Sequence, residues 1–250
     1  MIPTGQTIAI VSGKGGTGKT SFAANVGMAL AQMGRTTLCF DCDIGLRNLD
    51  IALSMTDRAV MDFTDVLVGF CTLEEAIVPH PQQKNLYLLT APSRTNVSDI
   101  DIEQFRALFR KINQKFDYCL VDAPAGLEFG FQLALSAASR AVVVTTTDAS
   151  SLRDAQRTVM ELDRFPQGRV HLVVNRCRKK LMRSLHQTID DAIDTAGLPL
   201  LGVIPEDETI PLYAGRGIAL LLSDNRYAAQ AYRNIARRLE GLRAPLMHIR

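Results

Sequence analysis

Histidine is scarce in this chain. Its four copies in 250 residues, His80, His171, His186 and His248, show no ligand spacing. That scatter gives no sign of an imidazole-held metal centre, and nothing suggests a serine or cysteine nucleophile. His171, within a strand-forming run, reads as structural. Also missing is any apolar run near the roughly 18 residues of a transmembrane helix, although 47% of the residues are hydrophobic. The opening MIPTGQTIAIV has no charged n-region or cleavage site, so no secretory leader is expected. The five cysteines (Cys39, Cys42, Cys71, Cys119, Cys177) are odd in number and read as core thiols of a reducing compartment rather than as a disulfide framework. CFDC at 39–42 has redox-pair spacing, but strand alternation puts Cys39 and Asp41 on one face and Cys42 beyond the strand. A net charge of +2 is too balanced to argue for nucleic acid. There is no internal repeat, no low-complexity linker and no composition shift, so one domain is expected over 1–250, with its core at about 7–242 and a short tail at 243–250.

What is present is an alternation of short β-rich runs with helical stretches. Strands are predicted at 7–11, 36–41, 85–90, 117–122, 141–147, 170–175 and 200–204. Their apolar residues run continuously, as in strands buried on both faces. Helices are predicted near 19–33, 101–115, 129–138, 151–164, 181–196 and 226–242. TLEE at 72–75 is a capping box for a short helix. The alternation implies an α/β fold with a doubly wound, mainly parallel sheet and helices on both faces. Ligands in such sheets bind at the carboxyl ends of the strands.

One such end carries SGKGGTGKTS at 12–21, between the first strand and a helix. It fits G-x-x-x-x-G-K-[ST] through Gly13, Gly18, Lys19 and Thr20. Glycines let backbone N–H groups converge on phosphate oxygens, and the helix N-terminus adds its dipole. The phosphate-contacting set is Gly13, Lys14, Gly15, Gly16, Thr17, Gly18, Lys19, Thr20 and Ser21, with Lys19 against the β/γ-phosphates and the Thr20 hydroxyl on Mg²⁺. ATP/ADP and Mg²⁺ are the expected cofactors. FDCDIGLRNLD at 40–50 and LVDAPAGLE at 120–128 place acids at two more strand ends. Asp122 is the candidate magnesium carboxylate and Asp43 the candidate for orienting the attacking water. Asp41 is a second influence on the metal, so the metal set is Thr20, Asp41 and Asp122.

A second lysine, Lys14, narrows the pattern to K-G-G-x-G-K-[ST]. In this the chain resembles the ParA/MinD group of P-loop ATPases, those with the deviant Walker A signature. The resemblance implies that Lys14 reaches across a dimer interface to the partner subunit's nucleotide, while Lys19 serves its own. It makes Lys14, Lys19 and Asp43 the catalytic set. DIGLRNLD (43–50) is similar to the switch I segment of the MinD branch, more than to that of ParA or of the flagellar-number ATPases. VDAPAGLE (121–128) looks like switch II, and SSLRDAQR (150–157) like the start of the following helix. VVNR (173–176) and GVIPED (202–207) resemble the adenine-holding segments. They imply Asn175 on the base edge, with Arg176, Pro205, Glu206 and Asp207 around the ring. The resemblance further implies Mg²⁺-dependent ATP hydrolysis, a homodimer in the ATP state, and division-site placement with a MinC-like inhibitor and a MinE-like activator. Asp154 lies on the expected partner surface.

The departures are Thr17, where the family usually has Val, and Ser21, where Thr is common. The chain is also expected to stop, at EGLRAPLMHIR, before the basic amphipathic helix that carries such proteins to the membrane. Pro245 interrupts any long helix in the tail, which leaves weak, avidity-driven membrane attachment through Leu246, Met247 and Ile249 of two subunits. The expected location is the cytoplasm, with attachment at the inner face of the membrane left open. Two rival readings remain. One is a ParA-type DNA-segregation or flagellar-placement ATPase, in which NRCRKKLMRS (175–184) with Arg233, Arg237 and Arg238 binds DNA without sequence preference. The other is a metallocentre-assembly ATPase, which needs interface cysteines that APAGLEFGF lacks.

Overall fold

The computed structural model describes residues 5–94, 96–184, 188–223 and 227–249. Its strands are β1 (Gln6–Val11), β2 (Thr37–Asp41), β3 (Val78–Pro79), β4 (Leu86–Leu89), β5 (Tyr118–Asp122), β6 (Arg140–Thr145), β7 (Val170–Cys177) and β8 (Leu200–Pro205), in one sheet of order β3-β4-β2-β5-β1-β6-β7-β8. Every pairing is parallel except β3 with β4. The seven predicted strands are found, and β3 is the addition. At two residues, one of them proline, it has no period to read.

Because successive side chains point to opposite faces, each strand feeds two cores. From β1, Ala9 and Val11 join one layer with Phe40, Phe63, Phe105 and Phe109. Ile8 and Ile10 join the other, with Phe22, Met28 and Tyr232. Burial of each of the larger apolar side chains among these is worth about 1.5–3 kcal/mol. Cys39 belongs to the second layer and Cys42 to the first, so the sheet lies between them and they form no redox pair.

The helix Lys19–Gln32 is buried from Phe22 to Ala31, because it packs on the sheet and, along its flank, against the helix Tyr227–Leu239. Only glycine fits at position 27, where a Cβ would stand 2.4 Å from Cys39 Sγ. The helix expected at 151–164 spans Ala149–Met160. The one expected at 181–196 is divided into Lys179–Ser184 and Ile189–Ala196; 185–187, with His186, lie outside the described residues. The capping box at Thr72 is present, and two more, at Asp62 with Asp65 and at Thr188 with Asp191, start Phe63–Leu67 and Ile189–Ala196.

After the last helix the tail turns back across β8. Asn234 Nδ2 donates to the Pro245 carbonyl (3.0 Å), and Arg238 donates to Ala244 O (3.3 Å) and Leu200 O (3.0 Å). Met247 packs against one core layer and Ile249 against the other.

Candidate functional site

The loop after β1 turns through Gly16 and Gly18, at φ 78° and 93°, a region that only glycine enters freely. The helix that follows has no side-chain cap at Gly18 and no acid in its first turn. Its first N–H groups are therefore without a capping side chain, and its positive end without a counter-charge, which is what an anion site needs. Lys19 is 7% exposed and donates to Ser12 Oγ at 2.8 Å, with further donors to spare. Burial pushes its pKa down, while Asp122 and Asp43 pull it up.

Three carboxylates gather beside it. Asp41 and Asp122 are register partners at the ends of β2 and β5. Burial pushes Asp122 up to about 8, helped by Asp41; a hydrogen bond from Thr20 and the charge of Lys19 oppose this. Asp122 is 1% exposed, and its Oδ1 has no partner among the described residues. An orphan carboxylate oxygen next to the Thr20 hydroxyl fits a bound cation, because nothing else there satisfies it. Asp41 is raised to about 6, chiefly by burial. Its two oxygens accept from Asp43 N (2.9 Å) and Leu49 N (3.2 Å), so it fastens both ends of the 43–49 loop. Asp43, on that loop, is half-buried; burial raises its pKa and Lys19 lowers it.

Beyond the loop, a cavity of about 190 Å³ is lined by Gly18, Asn175, Arg176, Pro205, Asp207 and Tyr232, among others. A register shift between β7 and β8 at Val174–Cys177 re-aims Asn175 and Arg176, and Arg176 has φ 52°. Asn175 Nδ2 donates to Thr17 O at 2.8 Å, and its Oδ1 accepts from Arg176 N at 2.9 Å. Glu206 pairs with Arg178, and Asp207 accepts from Thr209 N and from its hydroxyl.

The family described as "CobQ/CobB/MinD/ParA nucleotide binding domain" matches residues 8–221. The septum site-determining protein MinD of Synechocystis sp. is 39% identical over 97% of this chain and 92% of its own length. The chain belongs to the MinD family. Among solved structures, the MinC:MinD cell division protein complex of Aquifex aeolicus has 37% identity and a TM-score of 0.89, over 98% of this chain and 99% of that one. MinD of Pyrococcus horikoshii complexed with Mg-ADP has 32% identity and a TM-score of 0.82, over 94% and 96%.

For a MinD-family chain, the placement of Lys14 is informative. Its ammonium lies 3.0 Å from Asp148 Oδ1 and 2.8 Å from Ser150 Oγ, whereas Lys19 donates to Ser12. Asp148 also accepts from Thr146 Oγ1, Ser150 Oγ, Ser151 Oγ and Ser151 N. Burial would raise its pKa, but the hydroxyl hydrogen bonds outweigh that and hold it far below the carboxylate range. This cradle was missed in the sequence. Its signal was there in TTTDASS (145–151), an N-cap acid amid hydroxyls. Asp154, one turn further along, backs onto the loop, and a Cβ at Gly13 would meet its carbonyl at 2.5 Å. Of the residues expected around the base, Asn175, Arg176, Pro205, Glu206 and Asp207 all line the cavity. Tyr232 lines it too, with no motif to announce it.

Proposed function

We propose that this protein is a MinD-like ATPase, an ATP-dependent dimerisation switch for division-site placement. The observation that carries the reading is Lys14. It is tethered to Asp148 at the rim of a complete phosphate loop, where a second subunit can meet it. Lys19, the uncapped helix N-terminus and Gly13–Ser21 bind and orient the phosphates. Asp43 orients the attacking water, held in place by the Asp41 clamp on its loop. Thr20 and Asp122 would hold Mg²⁺, which supplies charge neutralisation at the β- and γ-phosphates. Lys14, released from Asp148, adds positive charge to the partner's nucleotide and so couples hydrolysis to pairing.

A MinC-like partner fits the face of the helix Ala149–Met160. Asp154 there packs directly on the phosphate loop, so binding at that helix is communicated to Gly13. A MinE-like activator fits the same logic. The DNA-binding alternative is less favoured, because much of the basic surface is already engaged. Arg178 pairs with Glu206, Arg233 donates to Leu221 O, and Arg238 holds the tail.

The test is mass measurement by light scattering in Mg-ATP and in Mg-ADP, for wild type and Lys14→Ala, with ATP turnover alongside. A dimer in ATP alone, with turnover lost in the variant, supports the switch; a monomer in both nucleotides overturns it. Pelleting with anionic liposomes tests location at the membrane. Met247 and Ile249 are packed against the body, so attachment through them requires the tail to release.

A further inference from the structure

Tyr232 stands out among the cavity residues because its hydroxyl is a buried polar group without a partner among the described residues. The side chain is 0% exposed, and Oη has no hydrogen-bond partner among the described residues. Buried phenols usually find a partner. Packing does not explain the residue either. Its ring lies edge-on to Phe22, with centroids 6.4 Å apart, and a phenylalanine would fill that space equally well. Tyr232 is a lining residue of the cavity with Gly18, Asn175, Arg176 and Asp207, and its hydroxyl is within electrostatic reach of the last two. Burial holds the phenol protonated, Asp207 adding to this and Arg176 opposing, so Oη–H is a neutral donor at working pH.

We propose that Tyr232 is a base-reading residue, whose hydroxyl donates a hydrogen bond to a ring nitrogen of the bound purine. The inference rests on the nucleotide site of the preceding section. It adds a contact from the last helix to one otherwise built from the ends of β1, β7 and β8. Because Phe22 follows the phosphate loop on its helix, the Phe22–Tyr232 contact also fixes the distance between phosphate and base recognition.

The test is calorimetric titration of wild type and Tyr232→Phe with Mg-ADP and with its 1-deaza, 3-deaza and 7-deaza analogues. The variant should bind Mg-ADP about tenfold more weakly, the size of one neutral hydrogen bond. One deaza analogue should be weakened as much for wild type, with no further loss in the variant. The nucleotide-free variant should melt no lower than wild type, because no hydrogen bond is removed from the empty protein. Equal ADP affinities overturn the inference, as does a variant that loses the same factor on every analogue or melts lower when empty. If wild type itself fails to bind Mg-ADP, the nucleotide site falls and the inference falls with it. Binding by wild type with no effect of the substitution removes Tyr232 alone.

Discussion

Replacing Asn175 by alanine separates two roles that the same side chain can have. A residue that only touches the base should weaken nucleotide binding and leave the empty protein intact. The structure instead places Asn175, 3% exposed, between Thr17 O at 2.8 Å and Arg176 N at 2.9 Å. Alanine strips the Thr17 carbonyl of a buried partner, at about 1–3 kcal/mol, and the Arg176 N–H of a part-buried one, at about 1–2 kcal/mol. The nucleotide-free protein should therefore lose roughly 2–5 kcal/mol. For a chain of this size each kcal/mol moves Tm by about 2–4 °C, so a drop on the order of 5–15 °C is expected in a calorimetric scan without nucleotide. Asn175→Asp should fall further, because it sets a carboxylate oxygen against the Thr17 carbonyl. An alanine variant that melts within about 2 °C of wild type while binding ADP poorly would refute this and return Asn175 to a purely base-contacting role.

Asp43→Ala should leave the ATP-bound dimer intact and slow single-turnover hydrolysis by at least about tenfold; turnover at the wild-type rate removes Asp43 from the water-positioning role. At Gly18 the added methyl would meet Asn175 Nδ2 at 2.3 Å on a backbone at φ 93°. Gly18→Ala should therefore cost about 2–4 kcal/mol of stability and most nucleotide binding, both read in a ligand-shift melt. Asp122 and Asp41, raised to about 8 and about 6, bind protons more tightly when folded than unfolded. Their contribution is thus fully present below about pH 4 and is lost as pH rises towards 8. Asp122→Asn should flatten that slope in melts of the nucleotide-free protein, and an unchanged slope would contradict the assignment.

The parallel sheet and the phosphate loop were legible because each is written in contiguous residues. β1 carries a four-residue apolar run, Ile8 to Val11, and Gly13 to Ser21 has fixed spacing. The three aspartates were legible for the same reason, since Asp41 and Asp122 each close a strand and Asp43 follows two residues after the first. What Asp41 holds was not, because its backbone partners at 43 and 49 depend on how the loop closes. Lys14 and Asp148 are 134 positions apart, so their pairing exists only after β6 lies beside β1. Tyr232 sits in a helix whose pattern reads simply as amphipathic. Its place at the cavity comes from packing on Phe22 and could not be read from spacing.

The two edges of the sheet are finished in different ways. At one, β3 is two residues long, antiparallel, and ends in Pro79, which has no N–H to offer a neighbouring strand. At the other, the tail lies over β8, and Arg238 occupies the carbonyl of Leu200. Exposed strand edges are templates for endless sheet extension between molecules. With both blunted, neither edge offers a template for fibrils, and the pairing proposed above is left to the strand ends, where a nucleotide would govern it.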